Sequence, residues 1–214
     1  MIKKGSKTLV GVTQRIDNIA DRGEFRDALD QRLVHWLVYA GFLPIPIPNF
    51  LSTRTSSTSE LLESWLQFLQ PHALILSGGN DIGEYTQRDT TEHYLLSWAK
   101  AKRVPVLGIC HGLQMMAAWS GADLVRIEGH VGSRHQLVIP NRKDEWPTHV
   151  NSYHDWSLDS CPERFEVSTR AEDGSIESIK HIDLPWEGWM WHPEREVPFT
   201  RQDTARIKRL FCGK

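Results

Sequence analysis

The chain has 214 residues, 40% hydrophobic and 24% charged, a balance expected of a soluble globular protein with a sizeable core. A formal net charge of −2 gives no polyelectrolyte signature, so nucleic acid is not an expected partner. No uninterrupted apolar run reaches the roughly 18 residues of a membrane span. The start, MIKKGSKTLVGV, is too weakly apolar for a signal-peptide core. Cys110, Cys161 and Cys212 are widely spaced with no CxxC pair, which argues against a disulfide framework or zinc knuckle and favours a reducing cytoplasm.

In chain order, TLVGVT (8–13) reads as a strand, followed by a helix over 25–40 with Leu29, Leu33, Trp36, Leu37 and Ala40 on one stripe. FLPIPI (42–47) is a second strand. STRTSSTSE (52–60) is a loop ending in a helix cap, and Leu62, Trp65, Leu66 and Leu69 mark a helix over 59–70. ALILS (73–77), an amphipathic helix over 90–102 and VPVLGI (104–109) continue the alternation. Short apolar strands alternating with helices indicate a mostly parallel sheet covered on both faces. LVRI (124–127), QLVI (136–139), THVNSY (148–153), FEVSTR (165–170) and SIESIKHI (175–182) read as strands with short connections, an antiparallel excursion. EGWMW (187–191) is a late strand and 201–211 a closing helix. The expectation is a single α/β domain over 1–214.

The stretch VLGICHGLQ places Cys110 between an apolar strand and a helix, with Gly108 and Gly112 nearby. Small residues beside a sharp strand-to-helix turn let the central side chain project from the sheet edge, a nucleophile elbow. The helix N-terminus favours a thiolate there. A buried, inert cysteine would also fit that spacing. In GWMWHPEREVPF, His192 and Glu194 are two apart at the end of a strand, so alternation sends both to one face, and Pro193 stiffens the pair. Glu194 can orient the imidazole while the other ring nitrogen takes a thiol proton, although an isolated HPE is often a surface turn. In LILSGGND, Gly78 and Gly79 permit positive φ and close approach to a ligand, or simply make a turn.

Together GICHGLQ, WHPE and LSGGND resemble the nucleophile elbow, catalytic His-Pro-Glu and oxyanion loop of class I glutamine amidotransferases. The resemblance implies a flavodoxin-like glutamine amidotransferase fold and a Cys110–His192–Glu194 triad. It also implies that the N–H groups of Gly79 and His111 form an oxyanion hole. Gly78 and Gln114 are then expected to help seat a glutamyl group.

YTQRDTTEHY and HVNSYHDW further resemble the γ-glutamyl hydrolase branch of that family, peptidase C26. The first carries Arg88, Asp89 and Glu92 in an R-D-x-x-E pattern. The second places Asn151, Ser152 and His154 near substrate by analogy, with Arg88 as a further substrate contact. Departures from the branch are His111 where arginine is frequent, Glu84 after the glycine loop, Asp155-Trp156 after His154, and Met190 before WHPE. The implied reaction is hydrolysis of a small-molecule γ-glutamyl amide through a γ-glutamyl thioester, with no cofactor. The resemblance favours γ-glutamyl-CDP-amidate as substrate. A γ-glutamyl-aminobutyrate-type amide, or glutamine hydrolysed for a separate synthetase partner, are the alternatives, and a homo-oligomer is compatible with either. Arg15, Arg88, Arg195 and Arg201 are candidates to meet a pyrophosphate leaving group. No metal is expected: in EGHVGSRHQ the glycines and serine place His130 and His135 in a loop, and the other histidines show no ligand grouping.

Overall fold

The computed structural model describes residues 8–52, 58–139 and 145–213. In chain order, β1 (Leu9–Thr13) leads into a hairpin of β2 (Arg15–Ile19) and β3 (Glu24–Ala28), then α1 (Gln31–Tyr39) and β4 (Leu43–Ile47). Next come α2 (Thr58–Leu69), β5 (Ala73–Leu76), α3 (Thr86–Lys102), β6 (Val106–Ile109) and α4 (His111–Trp119). The second half holds β7 (Leu124–Arg126), β8 (Val131–Gln136), β9 (His149–Tyr153) and β10 (Trp156–Leu158). It closes with β11 (Phe165–Arg170), β12 (Ile176–His181), β13 (Trp186–Trp189), a 3-10 turn at Pro193–Arg195 and α5 (Arg201–Cys212). Most of the STRTSSTSE loop, residues 53–57, lies outside the described residues.

Seven strands form the central sheet in the order β11-β12-β13-β6-β5-β1-β4. The run from β13 to β4 is parallel, and β11, β12 and β13 pair antiparallel, which matches the mixed sheet read from the sequence. Alternation along the strands divides the core. Leu74, Leu76 and Val106 face α2, α3 and α4 through Leu62, Leu66, Leu95, Leu96, Leu113 and Met116. Val10, Val12, Ile75, Leu107 and Ile109 face Leu33, Trp36 and Leu37 of α1 and Ile207 and Phe211 of α5. Trp189 and Trp191 stack on this second side at 5.4 Å with nearly parallel rings, and Trp146 meets both edge-on.

Three boundaries differ from the sequence reading. The helix expected over 25–40 begins at Gln31, because Asp30 accepts a hydrogen bond from Arg32 N at 2.8 Å and caps it. The preceding residues instead pair as β3 with β2 across a turn whose Gly23 has φ +62°. The strand expected at QLVI is displaced upstream: residues 131–136 form β8 against β9, and Val138 keeps only one bridge, to Arg170. β8 is a largely exposed ribbon strand, so backbone pairing holds it without the apolar alternation a half-buried strand displays. Finally, α3 starts four residues earlier than expected, at Thr86.

Candidate active site

Parallel registry sets the site. Leu76 pairs with Gly108, and Ile109 with Trp189, so β5, β6 and β13 end together at one sheet edge. The residues just beyond those ends are Ser77-Gly78-Gly79, Cys110 and Met190–His192. Cys110 takes φ +51° and ψ −104°, a conformation few non-glycine residues adopt, between β6 and α4. Its N–H donates to Trp189 O at 2.8 Å and its carbonyl accepts from Gln114 N at 3.1 Å, which fixes the turn from both sides.

Two glycines allow this elbow. A Cβ on Gly112 would run into the Leu76 carbonyl, and one on Gly108 would approach Gly112 O to 2.6 Å. Helix α4 can therefore press onto β5 and β6 only because both positions lack a side chain. His111 is the first residue of α4, so its backbone N–H has no intrahelical acceptor.

Cys110, His192 and Glu194 are brought together. His192 Nδ1 lies 2.7 Å from Glu194 Oε1, and both side chains are nearly fully buried. The Cys110 side chain lies close enough to act on the imidazole as well. Burial pulls the His192 pKa down, but the Glu194 charge, the Cys110 contact and the Glu194 hydrogen bond together push it up to about 9. At neutral pH the ring is therefore held toward its protonated form. A Cβ on Gly78 would fall 2.5 Å from His192 Cε1, so that glycine makes room for the ring. Gly79 has φ +125°, a conformation that suits glycine.

The other expected site residues are placed differently. Asn151 donates to His192 O at 2.8 Å and accepts from His192 N at 3.0 Å, gripping the backbone of the base rather than facing open space. Ser152 is fully buried and donates to His130 O at 2.5 Å. His154 is buried too, with Nδ1 donating to Trp156 O at 2.9 Å. Both side chains are thus held by backbone carbonyls of the protein. Gln114 points its amide at Trp156 O, 3.2 Å away, and lines a cleft with Asp81, Ile82 and Trp156.

Arg88, also expected near substrate, is held inside the protein. It is fully buried, and its guanidinium is occupied by Ser77 O at 2.6 Å, Glu92 Oε1 at 3.2 Å and Asn80 Oδ1 at 3.4 Å. It therefore braces the glycine loop. Glu92 is the hub of this brace. It accepts from Thr13 Oγ1 at 2.6 Å and pairs with His111 Nε2 at 2.7 Å. Burial pushes its carboxyl up, but the Arg88 and His111 charges and its hydrogen bonds hold it down at about 2. The sequence held Arg88 and Glu92 only as a motif. Their i,i+4 spacing on one helix was the signal that they would pair with each other.

A cavity beside the triad is lined by Arg15, Ala28, Asp30, Gly79, Glu194 and Arg195, among others. Arg15 and Arg195 thus reach the site, whereas Arg201 starts α5 and does not line the cavity. Arg195 lies over the Tyr153 ring at 4.4 Å, which leaves its charge directed by an aromatic face.

A strained cysteine turn, a buried His–Glu pair and a glycine loop at one sheet edge are features that suit an amide hydrolase of glutamine amidotransferase type. The comparisons agree. The model of the glutamine amidotransferase class-I family matches residues 23–212, and this chain belongs to that family. The chain is 30% identical over 197 residues to the γ-glutamyl-CDP-amidate hydrolase of Campylobacter jejuni, covering 87% of this chain and 90% of that protein. It is 25% identical over 233 residues to the γ-glutamyl-γ-aminobutyrate hydrolase of Escherichia coli O157:H7, covering 90% and 87%. A glutamine amidotransferase structure from Thermotoga maritima superimposes with a TM-score of 0.62 at 17% identity, covering 98% of this chain and 84% of that one, and supports the fold. No helix among the described residues is long and apolar enough to cross a membrane.

Proposed function

We propose that this class I glutamine amidotransferase hydrolyses a γ-glutamyl amide through a thioester on Cys110, and that its substrate is γ-glutamyl-CDP-amidate. The observation that carries the reading is the His192–Glu194 contact of 2.7 Å beside the strained Cys110. The Cys110 thiolate attacks the γ-carbonyl carbon, and the carbonyl π pair moves onto oxygen. The Gly79 and His111 N–H groups hold that oxyanion. The intermediate collapses, the C–N bond breaks, and the His192 imidazolium donates its proton to the leaving nitrogen. Neutral His192 then takes a proton from water as that water attacks the thioester. Glutamate leaves, and the sulfur recovers its starting state.

Glu194 orients the imidazole and stabilises its charge. Gln114, in the cleft with Trp156, is assigned to the glutamyl end. Arg15 and Arg195, at the cavity on the other side, are assigned to the diphosphate of the leaving group, where guanidinium geometry suits phosphate. The substrate assignment is supported by these two cations and by the similarity to the Campylobacter hydrolase.

The test is a comparison of kcat/KM for γ-glutamyl-CDP-amidate, γ-glutamyl-γ-aminobutyrate and glutamine. The nucleotide compound is expected to be the best of the three, and to lose that lead in the Arg15→Ala, Arg195→Ala double variant. A higher kcat/KM for either other substrate overturns the substrate assignment while leaving the chemistry standing.

A further inference from the structure

Behind the active site, four side chains that the reaction does not use converge. His130, His135, His154 and Glu177 each bring one ligand-type atom to within 4.8 Å of the others. His130, His154 and Glu177 are buried, and His135 is half-buried. The outer nitrogens of two rings are already committed. His130 Nε2 meets Asp173 Oδ2 at 2.8 Å, and His154 Nδ1 meets Trp156 O at 2.9 Å. Both partners are acceptors, so those nitrogens carry the protons. In the neutral rings, the lone pairs therefore sit on His130 Nδ1 and His154 Nε2, which face each other at 3.3 Å.

Two lone pairs in that position repel. Glu177 Oε1 joins them at 3.6 Å from His130 and 3.5 Å from His154, beyond a good hydrogen bond. Neither Glu177 oxygen, nor His135 Nε2, has a hydrogen-bond partner. A fully buried carboxylate without donors needs a positive charge beside it. Ligand atoms 3.3, 3.5 and 3.6 Å apart have the spacing of three corners of a tetrahedron whose centre lies about 2.1 Å from each, close to the length of a zinc–imidazole or zinc–carboxylate bond. The Asp173–His130 and Trp156–His154 contacts have the form that orients metal-bound imidazoles from outside.

We propose that His130, His135, His154 and Glu177 form a binding site for one divalent transition-metal ion of the zinc class. Three imidazoles and one carboxylate make a closed tetrahedral set, which is the structural rather than the hydrolytic kind of zinc site. The ion ties the β8–β9 ribbon to β12 of the central sheet. It lies near the base: Asn151 of β9 grips the His192 backbone, and Met190 N donates to Glu177 O at 2.8 Å. Its role is to hold that ribbon against the strand that delivers His192.

The test uses the full chain, stripped with a chelator and titrated with Co²⁺, then with Zn²⁺. The expected result is saturation at one Co²⁺ per chain, with the visible bands of a tetrahedral ion that Zn²⁺ abolishes. Elemental analysis after dialysis should give the same ratio for zinc. Glu177→Gln and His135→Ala should remove the bands. Should either fail to fold, Asp173→Asn, whose side chain is half exposed, decides the matter with a loss of affinity of roughly 10–100-fold. Folded wild-type chain that takes up neither ion stoichiometrically, meaning that the two imidazoles merely share a proton, overturns the proposal. Saturable binding unchanged in the three variants overturns it equally.

Discussion

Cys110 holds a backbone conformation that a non-glycine residue adopts only when its surroundings impose it. Here they do so through hydrogen bonds to Trp189 and Gln114 and through two glycines that admit α4 to the sheet. The chemistry beside it rests on one residue pair. His192 is raised to about 9 against the pull of burial, with the Glu194 charge the leading upward cause. Glu194→Gln keeps the shape of that pair but removes the charge. The alkaline limb of kcat, set by loss of the imidazolium that protonates the leaving nitrogen, should then move to lower pH, with kcat reduced and KM little changed. A pH profile of both enzymes checks this; a limb that stays in place would remove Glu194 from the role assigned to it.

At the scale of elements, α3 braces the loop after β5. Glu92 receives Thr13 from β1, Arg88 from its own helix and His111 from α4, while Arg88 reaches the Ser77 carbonyl. Glu92→Gln leaves Arg88 charged and buried with no carboxylate. Breaking such a pair should destabilise the chain by about 3–5 kcal/mol, measured as the shift in urea unfolding. A shift below about 1 kcal/mol, the level of an exposed pair, would contradict the brace.

This is also the scale at which the sequence was read best and worst. The central strands announced themselves because both of their faces are buried, leaving unbroken apolar runs such as ALIL and the start of VLGI. GICHGLQ and WHPE were legible because their chemistry is local to a few residues. The metal-like cluster was not. Its ligands come from the turn before β8, from β8, from the end of β9 and from β12, so no spacing rule joins them. The exposed β8 ribbon, with Gly132 and Ser133, carried a loop's composition. The partners of Arg88 were hidden for a related reason: a motif names a residue, whereas only packing shows that its guanidinium is enclosed under the loop.

For the whole molecule, two buried groups bound the pH range of greatest stability. Glu92 is held at about 2 against an ordinary 4.5, so it contributes stability that is present above 4.5 and is lost as pH falls through 2. His192 is raised to about 9 from 6.5, so its contribution is present below 6.5 and is lost as pH rises through 9. Asp203, raised by burial to about 6 from 3.8, acts in the same sense as His192, and its contribution is lost as pH rises from 3.8 through 6. Urea midpoints across pH should therefore decline on both sides, with Glu92→Gln flattening the acid side and His192→Asn the alkaline side. An alkaline slope unchanged in His192→Asn would show that the imidazolium is not stabilised by its burial beside Glu194.

The central claim is covalent catalysis by Cys110, and the most direct measurement is mass spectrometry of enzyme quenched in acid during turnover of γ-glutamyl-CDP-amidate. The account predicts one added γ-glutamyl group, located on the Cys110 peptide, released by hydroxylamine and absent from Cys110→Ala, which should not turn over. Turnover that persists in Cys110→Ala, with no adduct on the wild-type cysteine, would contradict it.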